Sequence, residues 1–528
     1  MENPETGLRP TALGRMSPDY WADVALGLLM FSILIYSCTR TLVDPDLYWH
    51  LKCGMDICHT GVVVAKDTYS FLTGDQRWFN HEWLAEVFFA YIYFHWGWVA
   101  LVLFKAALVA LMLGIIYKFI SQWQFDLFGK SLVTLQVAFF ASPATNCIRP
   151  HVFSCLLLAI LFILLRMAEN GRRKLLWLLP PMFVAWVNLH GAFFAGLATI
   201  LLWIFLEWFV SKRYRQSPDQ KGSIAFYWLI FVLCCLATFL TPYGRDFPIF
   251  MLSAAATPYT DVSEWQPIPL VSPLGALWAA MLFATIISLS LSKKPKDPTN
   301  TILWLIYAVA PLVAIRHLQF FGMATAIFVG EHLASAWSQR KSQSTVDPNR
   351  KWVAPDAIFC VISLLLSVWL ASASFAQIPA LKLVPDEDVP EKAVAILKRI
   401  NAQGNLAVNF DWGGYAIWYL APAVKVSYDG RLTFAYSPAA RMANQIFNSG
   451  FGPWDTLLKQ FPIDMVLVRT TSPALNLMKL LPNWKLVYQD EQSALFLPVG
   501  SKQLKRSEEL LHSLPSGSKT ESLNLPLL

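Results

Sequence analysis

The amino-acid sequence predicts a polytopic α-helical membrane protein with about eleven transmembrane helices, its N-terminus inside and its C-terminus outside, and a small C-terminal extracytoplasmic α/β domain. Of the 528 residues, 55% are hydrophobic and 15% are charged, whereas soluble domains carry about 25% charged residues. Apolar runs close to the roughly 20 residues that cross a hydrocarbon core recur along most of the chain. After residue 385 these runs stop, and short strand-like and helix-like stretches alternate instead.

The apolar runs define a membrane domain at 22–375, which follows a polar cytoplasmic N-terminus at 1–21. Two runs, at 131–146 and 175–189, are short, and we expect kinked or partial spans there. No cleavage pattern follows the first run, so we expect it to remain as an anchor. The predicted spans are 22–41, 98–120, 131–146, 152–167, 175–189, 193–211, 225–241, 272–292, 301–315, 318–338 and 353–375.

The positive charges decide between eleven and twelve spans. Segment 83–96 is apolar enough to cross, but it also has the pattern of an amphipathic helix, with Glu82 and Glu86 on one side. With eleven spans most loop lysines and arginines face the cytoplasm, as the positive-inside rule requires, and twelve would reverse this. The same placement explains the net charge of +7 without a nucleic-acid partner. The cytoplasmic loops are then 118–130, 166–174, 212–224, 293–299 and 339–351.

The extracytoplasmic α/β domain is predicted at 385–500, followed by a polar tail at 501–528 that we expect to be disordered. Two cysteines of the first outer loop, Cys53 and Cys58, are close enough in sequence for a disulfide in an oxidising compartment. The domain's predicted strands are 405–410, 424–428, 464–469, 484–489 and 493–497, and its predicted helices are 390–401, 412–420, 438–448 and 454–460.

Polar and ionisable side chains gather at the outer ends of the predicted spans. They lie in the first outer loop at 42–97, in the outer loop at 242–270 and in short outer turns. Ionisable groups near membrane depth are usually functional, because removing them from water is costly. We therefore expect one site that opens to the outside. The candidates are Asp44, Asp46, His50, His81, Glu82, Arg149, His151, Asn188, His190, Tyr243, Arg245, Asp261, Glu264, Arg316 and His317.

Each candidate also has a purely structural interpretation. Asp44 stands before Pro45, which is the pattern of a helix N-cap with proline at the first helical position. A cap does not explain Asp46. A single histidine at a helix end more often forms a structural hydrogen bond than takes part in catalysis. Arg149 favours an anionic ligand, since an arginine at such depth needs a partner.

Several stretches resemble a known superfamily. Residues 44–97, beginning DPDLYWHLKCGMD, are similar to the first outer loop of the GT-C glycosyltransferases, which use polyprenyl-phosphate-linked sugars as donors, and of a largely uncharacterised group of relatives. In that superfamily an acidic residue just after the first span is the expected catalytic centre, and horizontal helices follow it. Asp44 and Asp46 occupy that position, and 83–96 suits a horizontal helix. The other matching stretches are 149–153 (RPHVF), 186–193 (WVNLHGAF), 241–244 (TPYG), 263–266 (SEWQ) and 411–431 (DWGGYAIWYLAPAVKVSYDGR).

The resemblance implies an inverting glycosyltransferase at the outer face of the plasma (inner) membrane, among membrane lipids, acting on an unidentified glycan, lipid or protein acceptor. Asp44 or Asp46 would be the general base for the acceptor hydroxyl. An arginine at 149, 245 or 316 would stabilise the charge on the departing polyprenyl phosphate. The other candidates would bind substrate. Some members use an acidic pair to hold a divalent metal, here Mg²⁺ or Mn²⁺ on Asp44 and Asp46, and others use none.

Two alternatives stay open at this point. A transporter or flippase for a lipid-linked or anionic solute would use the same arginines, although the chain lacks the internal repeats typical of transporters. A metal site could also be built from outward-facing histidines, although no pair has the i, i+4 spacing of zinc-binding helices. These histidines are His50, His81, His151, His190 and His317.

Overall fold

The computed structural model describes residues 18–39, 44–74, 77–214, 220–255, 263–342, 354–380 and 389–513. The candidate Asp261 lies outside these residues, as do the N-terminal 1–17 and the tail beyond 513. The chain divides into two compact units. Unit 1 comprises Met1–Arg40, Ala110–Ser142 and Pro267–Gln377, and unit 2 comprises Thr41–Val109, Pro143–Gln266 and Ile378–Leu528.

Helices account for most of the described residues before 380. Four short 3₁₀ segments, at Arg173–Leu178, Ser263–Trp265, Ala310–Leu312 and Ile315–His317, join some of them. The helices are α1 (Pro18–Thr39), α2 (Asp46–Thr60), α3 (Trp83–Ile120), α4 (Leu127–Thr145), α5 (His151–Glu169), α6 (Leu179–Leu189), α7 (Phe193–Tyr214), α8 (Gln220–Ala237), α9 (Asp246–Ala255), α10 (Pro273–Leu291), α11 (Pro298–Val309), α12 (Leu318–Phe328), α13 (Gly330–Ser342) and α14 (Ala354–Ala380).

Six helices of the described chain are long and apolar enough to cross a membrane: α3, α4, α5, α10, the 193–210 part of α7 and the 357–376 part of α14. Shorter apolar helices occur at Val24–Ile33 and Ile224–Ala237. The exposed side chains of these apolar helices include many large hydrophobic ones. On α14, for example, Leu365 is 63% exposed and Trp369 is 62% exposed. Such surfaces are stable against lipid and not against water. The protein is an integral membrane protein, and the count of about eleven spans stays a prediction.

A break at Gly97 divides α3 at the boundary that the sequence predicts between 83–96 and 98–120. Gly97 has φ 73° and ψ −170° inside the helix, a conformation that glycine adopts at little cost. On the first half Glu86 is fully buried, whereas Phe94 and Trp96 are more than 60% exposed. An apolar outer face with an inward carboxylate is the arrangement that a helix at the membrane interface requires.

Residues 389–513 form a five-stranded sheet with helices around it. The strand order is β2-β1-β3-β5-β4. β1 pairs in parallel with β2 and β3, while β5 pairs antiparallel with β3 and β4. The strands are β1 (Gly404–Val408), β2 (Val424–Val426), β3 (Met465–Arg469), β4 (Trp484–Gln489) and β5 (Ser493–Pro498), and the helices are α15 (Glu391–Arg399), α16 (Phe410–Leu420), α17 (Leu432–Ala435), α18 (Pro438–Ser449), α19 (Thr456–Gln460), α20 (Pro473–Lys479) and α21 (Lys502–Ser513).

Local sequence signals fix several of these helices. The side chains of Asn409, Ser437 and Ser472 accept backbone N–H groups at the starts of α16, α18 and α20, which satisfies donors that a helix leaves unpaired. Gly450 ends α18 with φ 70°, the left-handed conformation in which glycine commonly stops a helix. Capping of this kind sets where each helix begins and ends.

The tail that the sequence predicts to be disordered begins with an ordered helix, α21, in which Leu504 is buried and Glu508 pairs with Lys485 at 2.6 Å.

The disulfide that the sequence allows between Cys53 and Cys58 is not formed: the two residues are free thiols, one buried and one exposed, on α2. On a helix, residues five apart point in different directions, which keeps the two sulfurs from meeting.

Within unit 2 the first outer loop joins the C-terminal sheet directly. The Val426 N–H donates to Tyr69 O at 2.9 Å and the Phe71 N–H donates to Val426 O at 3.3 Å, so the loop extends the sheet beside β2. α2 packs on α16, where a Cβ on Gly414 would lie 2.6 Å from Pro45 O. The segment predicted as a separate domain therefore forms one unit with the loop that carries Asp44 and Asp46.

Candidate active site

Arg149 is surrounded by three carboxylates. Its guanidinium takes both oxygens of Asp44, with Nε donating to Oδ2 and Nη2 donating to Oδ1 at 2.9 Å. Nη2 also donates to Asp46 Oδ2 at 2.9 Å. The third partner is Glu264, whose Oε2 lies 3.5 Å from Nη1. One positive charge thus faces three acidic side chains, each more than 100 positions from Arg149 in the sequence. We call these four residues the Arg149 cluster.

The members of the Arg149 cluster differ in their access to solvent. The Asp44 side chain is 1% exposed, whereas the Asp46 side chain is 21% and the Glu264 side chain 42% exposed. Burial raises the pKa of Asp46 to about 7, against the opposing effect of Arg149 and with a further contribution from the charge of Asp44. Burial alone would lower the pKa of Arg149, but Asp44 and Asp46 raise it well above its usual value. Arg149 is therefore always charged, while Asp46 can take up and release a proton near neutral pH.

The sequence Asp44-Pro45-Asp46 places both carboxylates at the start of α2. Asp44 Oδ1 accepts the Asp46 N–H at 3.0 Å, so Asp44 serves the backbone at this helix start as well as Arg149. The indole Nε1 of Trp49, one turn into α2, donates to Asp46 Oδ1 at 3.3 Å. Asp46 is thus held from both sides, by Arg149 on one oxygen and by Trp49 on the other.

Glycines of the 411–431 stretch allow the C-terminal domain to close on this helix start. A Cβ on Gly430 would overlap Asp46 Oδ1, and a Cβ on Gly413 would overlap Tyr428 O. Only glycine permits such close approach of backbone to its neighbours. The closure removes water from Asp46, which is the largest cause of its raised pKa.

A buried ion pair network lies between the same two parts of unit 2. Arg431 Nη1 donates to Asp67 Oδ1 at 2.5 Å, and its Nε and Nη2 donate to the two oxygens of Asp429 at 2.8 and 2.7 Å. Tyr436 Oη donates to Asp429 Oδ2 at 2.5 Å. The Arg431 and Asp67 side chains are at most 1% exposed. This network fastens the first outer loop to the C-terminal domain.

Beside the Arg149 cluster, histidines and glutamates form a second group, which we call the Glu82 cluster. The ring of His50 faces both glutamates, with Nδ1 3.1 Å from Glu86 Oε1 and Nε2 3.9 Å from Glu82 Oε2. Glu82 Oε1 lies 3.6 Å from His81 Nε2 and 3.4 Å from His190 Nε2. Burial lowers the pKa of His50 well below its usual value, with smaller effects of Arg149 and His81.

Three other candidates, Asn188, Tyr243 and His151, make contacts near the Glu82 cluster. Asn188 accepts the indole N–H of Trp83 at 2.9 Å and donates to Leu240 O. Tyr243 Oη accepts the Asn80 N–H and donates to Val64 O, both at 3.0 Å. The ring of His151 stacks on that of His190, with centroids 4.9 Å apart. These contacts shape the walls of the Glu82 cluster.

The remaining candidates are Arg245, in unit 2, and Arg316 and His317, in unit 1. The Arg245 side chain is 87% exposed and lies 3.9 Å from the exposed Asp246. His317 Nδ1 lies 3.1 Å from Ala310 O, and its ring stacks on Phe320. Of the two arginines in unit 2 that the sequence predicts for the phosphate, Arg149 contacts the acidic pair, with Nη2 2.9 Å from an oxygen of Asp44 and of Asp46.

Sequence reasoning missed several buried groups around these clusters. Glu86, Asp429 and Arg431 were not among the candidates, although the last two lie in the YDGR stretch that carries the resemblance. Lys105, 0% exposed on α3, was also missed. Its charge acts on Cys147 together with those of Asp44 and Arg149, and burial raises the pKa of that thiol to about 12. The sequence signal for Lys105 is that a single lysine stands inside the apolar run 98–120, where a charge is costly and usually functional.

The fold is similar to the folds of solved enzymes from the GT-C superfamily, the superfamily that the sequence resembles. The chain is similar to the oligosaccharyltransferase of Archaeoglobus fulgidus in its apo form, with a TM-score of 0.57 and 10% identity over 84% of this chain and 69% of that one. ArnT from Cupriavidus metallidurans bound to undecaprenyl phosphate gives a TM-score of 0.53 and 13% identity over 92% of this chain and 98% of that one.

The arabinofuranosyltransferase AftD from mycobacteria gives a TM-score of 0.50 and 14% identity, covering 93% of this chain and 41% of that one. The chain therefore spans less than half the length of AftD. Neither a known protein family nor a curated protein matches the chain in sequence. At these identities the likeness to the three enzymes is one of fold.

Proposed function

We propose that this protein is an inverting glycosyltransferase that moves a sugar from a polyprenyl-phosphate-linked donor to an acceptor hydroxyl at the outer face of the plasma membrane. The observation that carries the proposal is the Arg149 cluster, in which a titratable carboxylate and a permanently charged guanidinium meet at the start of the first outer loop of a GT-C fold. The solved structure of ArnT is bound to undecaprenyl phosphate, which supports a donor of that class.

Asp46 is the general base in this proposal. Its pKa of about 7 is close to the value at which a base is both unprotonated and able to accept a proton. The acceptor oxygen attacks the anomeric carbon from the face opposite the phosphate, and Asp46 takes the hydroxyl proton. The bond between the anomeric carbon and the phosphate oxygen breaks with its electron pair, so polyprenyl phosphate leaves and the configuration at that carbon inverts.

Arg149 stabilises the leaving phosphate. Its Nε and Nη2 are held by Asp44 and Asp46, whereas its contact from Nη1 to the half-exposed Glu264 is the longest of the set, at 3.5 Å. A phosphate oxygen can therefore replace Glu264 at Nη1 while the aspartates keep the guanidinium in place. Charge-assisted N–H bonds of this kind are strongest where charge develops in the transition state. Asp44 acts through Arg149 as a positioning residue.

A divalent metal on Asp44 and Asp46 stays a prediction, and the proposed mechanism does not need one. Both oxygens of Asp44 bond to Arg149, and those of Asp46 bond to Arg149 and Trp49. A hard cation such as Mg²⁺ requires several free oxygen ligands in near-octahedral geometry. These four oxygens do not fit it, because a cation would have to displace the guanidinium first.

The proposal is tested by donor turnover. Purified full-length protein in lipid nanodiscs is supplied with a panel of polyprenyl-phosphate sugars and a mixed set of glycan, lipid and peptide acceptors, and released polyprenyl phosphate is measured. We expect release with at least one donor and a product of inverted anomeric configuration. Failure of every donor, or transport of a donor across the bilayer without chemical change, contradicts the proposal, and the second result indicates a flippase.

A further inference from the structure

We propose that His50, Glu82 and Glu86 bind a divalent transition-metal ion, with Zn²⁺ as the best match, at a site separate from the Arg149 cluster. One ring nitrogen of His50 and one oxygen of each glutamate all lie within 4.8 Å of one another. The three residues are 3%, 9% and 0% exposed. The proposal is independent of the proposed glycosyl transfer, because it concerns ion binding alone.

The spacing of the three side chains suits a zinc ion. Zn²⁺ binds imidazole nitrogen and carboxylate oxygen at about 2.0–2.2 Å, in tetrahedral sites. Ligand atoms of such a site therefore lie roughly 3.5 Å from one another. One ring nitrogen of His50 and one oxygen of each glutamate lie within 4.8 Å of one another, so small movements of these side chains would bring the three atoms to that separation. Three protein ligands leave a fourth position for water, as in catalytic zinc sites.

One carboxylate oxygen of each glutamate, Glu82 and Glu86, faces a residue other than His50. Glu86 turns Oε1 toward His50, while its Oε2 accepts from the Asn80 amide at 2.5 Å. Glu82 turns Oε2 toward His50, while its Oε1 faces His81 and His190. Metal-binding carboxylates in proteins are oriented in this way by hydrogen bonds from surrounding residues. The other oxygen of each glutamate faces the His50 ring, Glu86 Oε1 at Nδ1 and Glu82 Oε2 at Nε2.

The hydrogen bonds around His190 determine its tautomer and make its Nε2 a donor to the Glu82 carboxylate. Ser154 Oγ accepts the Trp186 indole N–H at 2.7 Å and lies 2.8 Å from His190 Nδ1, which also accepts the Ala192 N–H at 3.2 Å. Because Nδ1 accepts, the ring hydrogen of neutral His190 is on Nε2, which points at Glu82. His190 therefore supports Glu82 from outside the ligand set, and it does not compete with His50 for the ion.

A bound cation would also compensate the charge of the two glutamates. Two carboxylates that face the same imidazole in a buried space are unfavourable unless a positive charge or a proton accompanies them. A divalent ion would also join the two ends of the first outer loop, since His50 lies on α2 and Glu86 on α3. His50 follows Asp46 by one helical turn, so the ion would hold in place the helix that carries the proposed base.

The test uses purified full-length protein stripped with a chelator, dialysed against Zn²⁺ and assayed for bound metal by mass spectrometry. We expect about one equivalent of zinc in the wild type, and loss of that equivalent in His50→Ala and Glu86→Gln. His59→Ala is the matched control, because His59 is an exposed histidine on the same helix, and it should keep the full equivalent. Asn80→Ala should weaken zinc binding roughly 10–100-fold.

A second measurement does not depend on the folding of the variants. Co²⁺ replaces Zn²⁺ in the stripped wild type, and its visible absorption reports whether the ligands are tetrahedral nitrogen and oxygen; the thermal unfolding temperature should rise on adding either ion. Absence of a tetrahedral cobalt spectrum together with no rise in unfolding temperature contradicts the proposal. Retention of the zinc equivalent by a folded His50→Ala variant also contradicts it.

Discussion

Arg149 donates to both oxygens of Asp44 through Nε and Nη2, and Nη2 also donates to Asp46. This arrangement divides the acidic pair of the first outer loop into two roles. Asp44, almost fully buried, keeps the guanidinium in position, whereas Asp46 is 21% exposed and has a pKa that burial raises to about 7.

Replacing Arg149 by lysine should raise the KM for the donor by about 10–100-fold. Lysine keeps the charge, but it lacks the planar fork that bonds Asp44 and Asp46 together, and a hydrogen bond to a charged group contributes about 1.5–3 kcal/mol. Steady-state kinetics of donor turnover measure the change. Arg245→Lys is the control, because Arg245 is 87% exposed; an equal rise in KM there would contradict the specific role given to the contacts of Arg149.

Donor turnover should increase as the pH rises through about 7 and then level off. Asp46 must be unprotonated to act as a base, and a carboxyl whose pKa is raised to about 7 loses its proton only above that pH. The measurement is kcat/KM from pH 5.5 to 8.5. A profile that is flat across pH 7 would contradict the assignment of Asp46, and the rising limb should be missing in Asp46→Asn.

Gly430→Ala should reduce turnover without preventing insertion into the membrane. The added Cβ would overlap Asp46 Oδ1, so the carboxylate must move away from Arg149 and Trp49. Gly114→Ala is the matched control, because a Cβ there meets nothing within 4 Å. Turnover and thermal unfolding of both variants are measured side by side, and full activity of Gly430→Ala would mean that the position of Asp46 is unimportant.

Arg431→Met should lower the free energy of unfolding of the C-terminal part of unit 2 by about 3–5 kcal/mol, because it leaves Asp67 and Asp429 buried without their cation. Arg77→Met removes an ion pair of the same length, 2.5 Å to Asp246, but both side chains are more than 40% exposed. Its cost should stay below about 1 kcal/mol. Limited proteolysis and thermal unfolding compare the two, and equal effects would contradict the role given to burial.

Sequence patterns predicted much of the local structure and part of the site. The five strands and the break at Gly97 lie where periodicity and glycine indicate, since these are local properties of the chain. Asp44, Asp46, Arg149 and Glu264 were all candidates, because charge is rare at helix ends in such an apolar chain. Their mutual contacts were not predictable from pattern, because they join residues more than 100 positions apart.

The sequence does not predict which of the charged side chains are buried. Arg245 and Arg149 are equivalent in a loop diagram, yet one is exposed and the other is held by three carboxylates. Asp429 and Arg431 follow a strand as an ordinary turn would, and only tertiary packing shows that they fasten the first loop. The histidines lack a zinc-helix spacing because the Glu82 cluster is assembled from separate elements rather than from one helix.

The most direct test of the account compares wild type, Asp46→Asn and Asp56→Asn in release of polyprenyl phosphate from a turned-over donor. Asp56 lies on the same helix as Asp46 and pairs with Lys52 at 2.6 Å, so it controls for loss of one carboxylate from α2. We predict that Asp46→Asn lowers kcat by about 10²–10⁴-fold with bound donor retained, and that Asp56→Asn turns over normally. Undiminished turnover by Asp46→Asn would contradict the account.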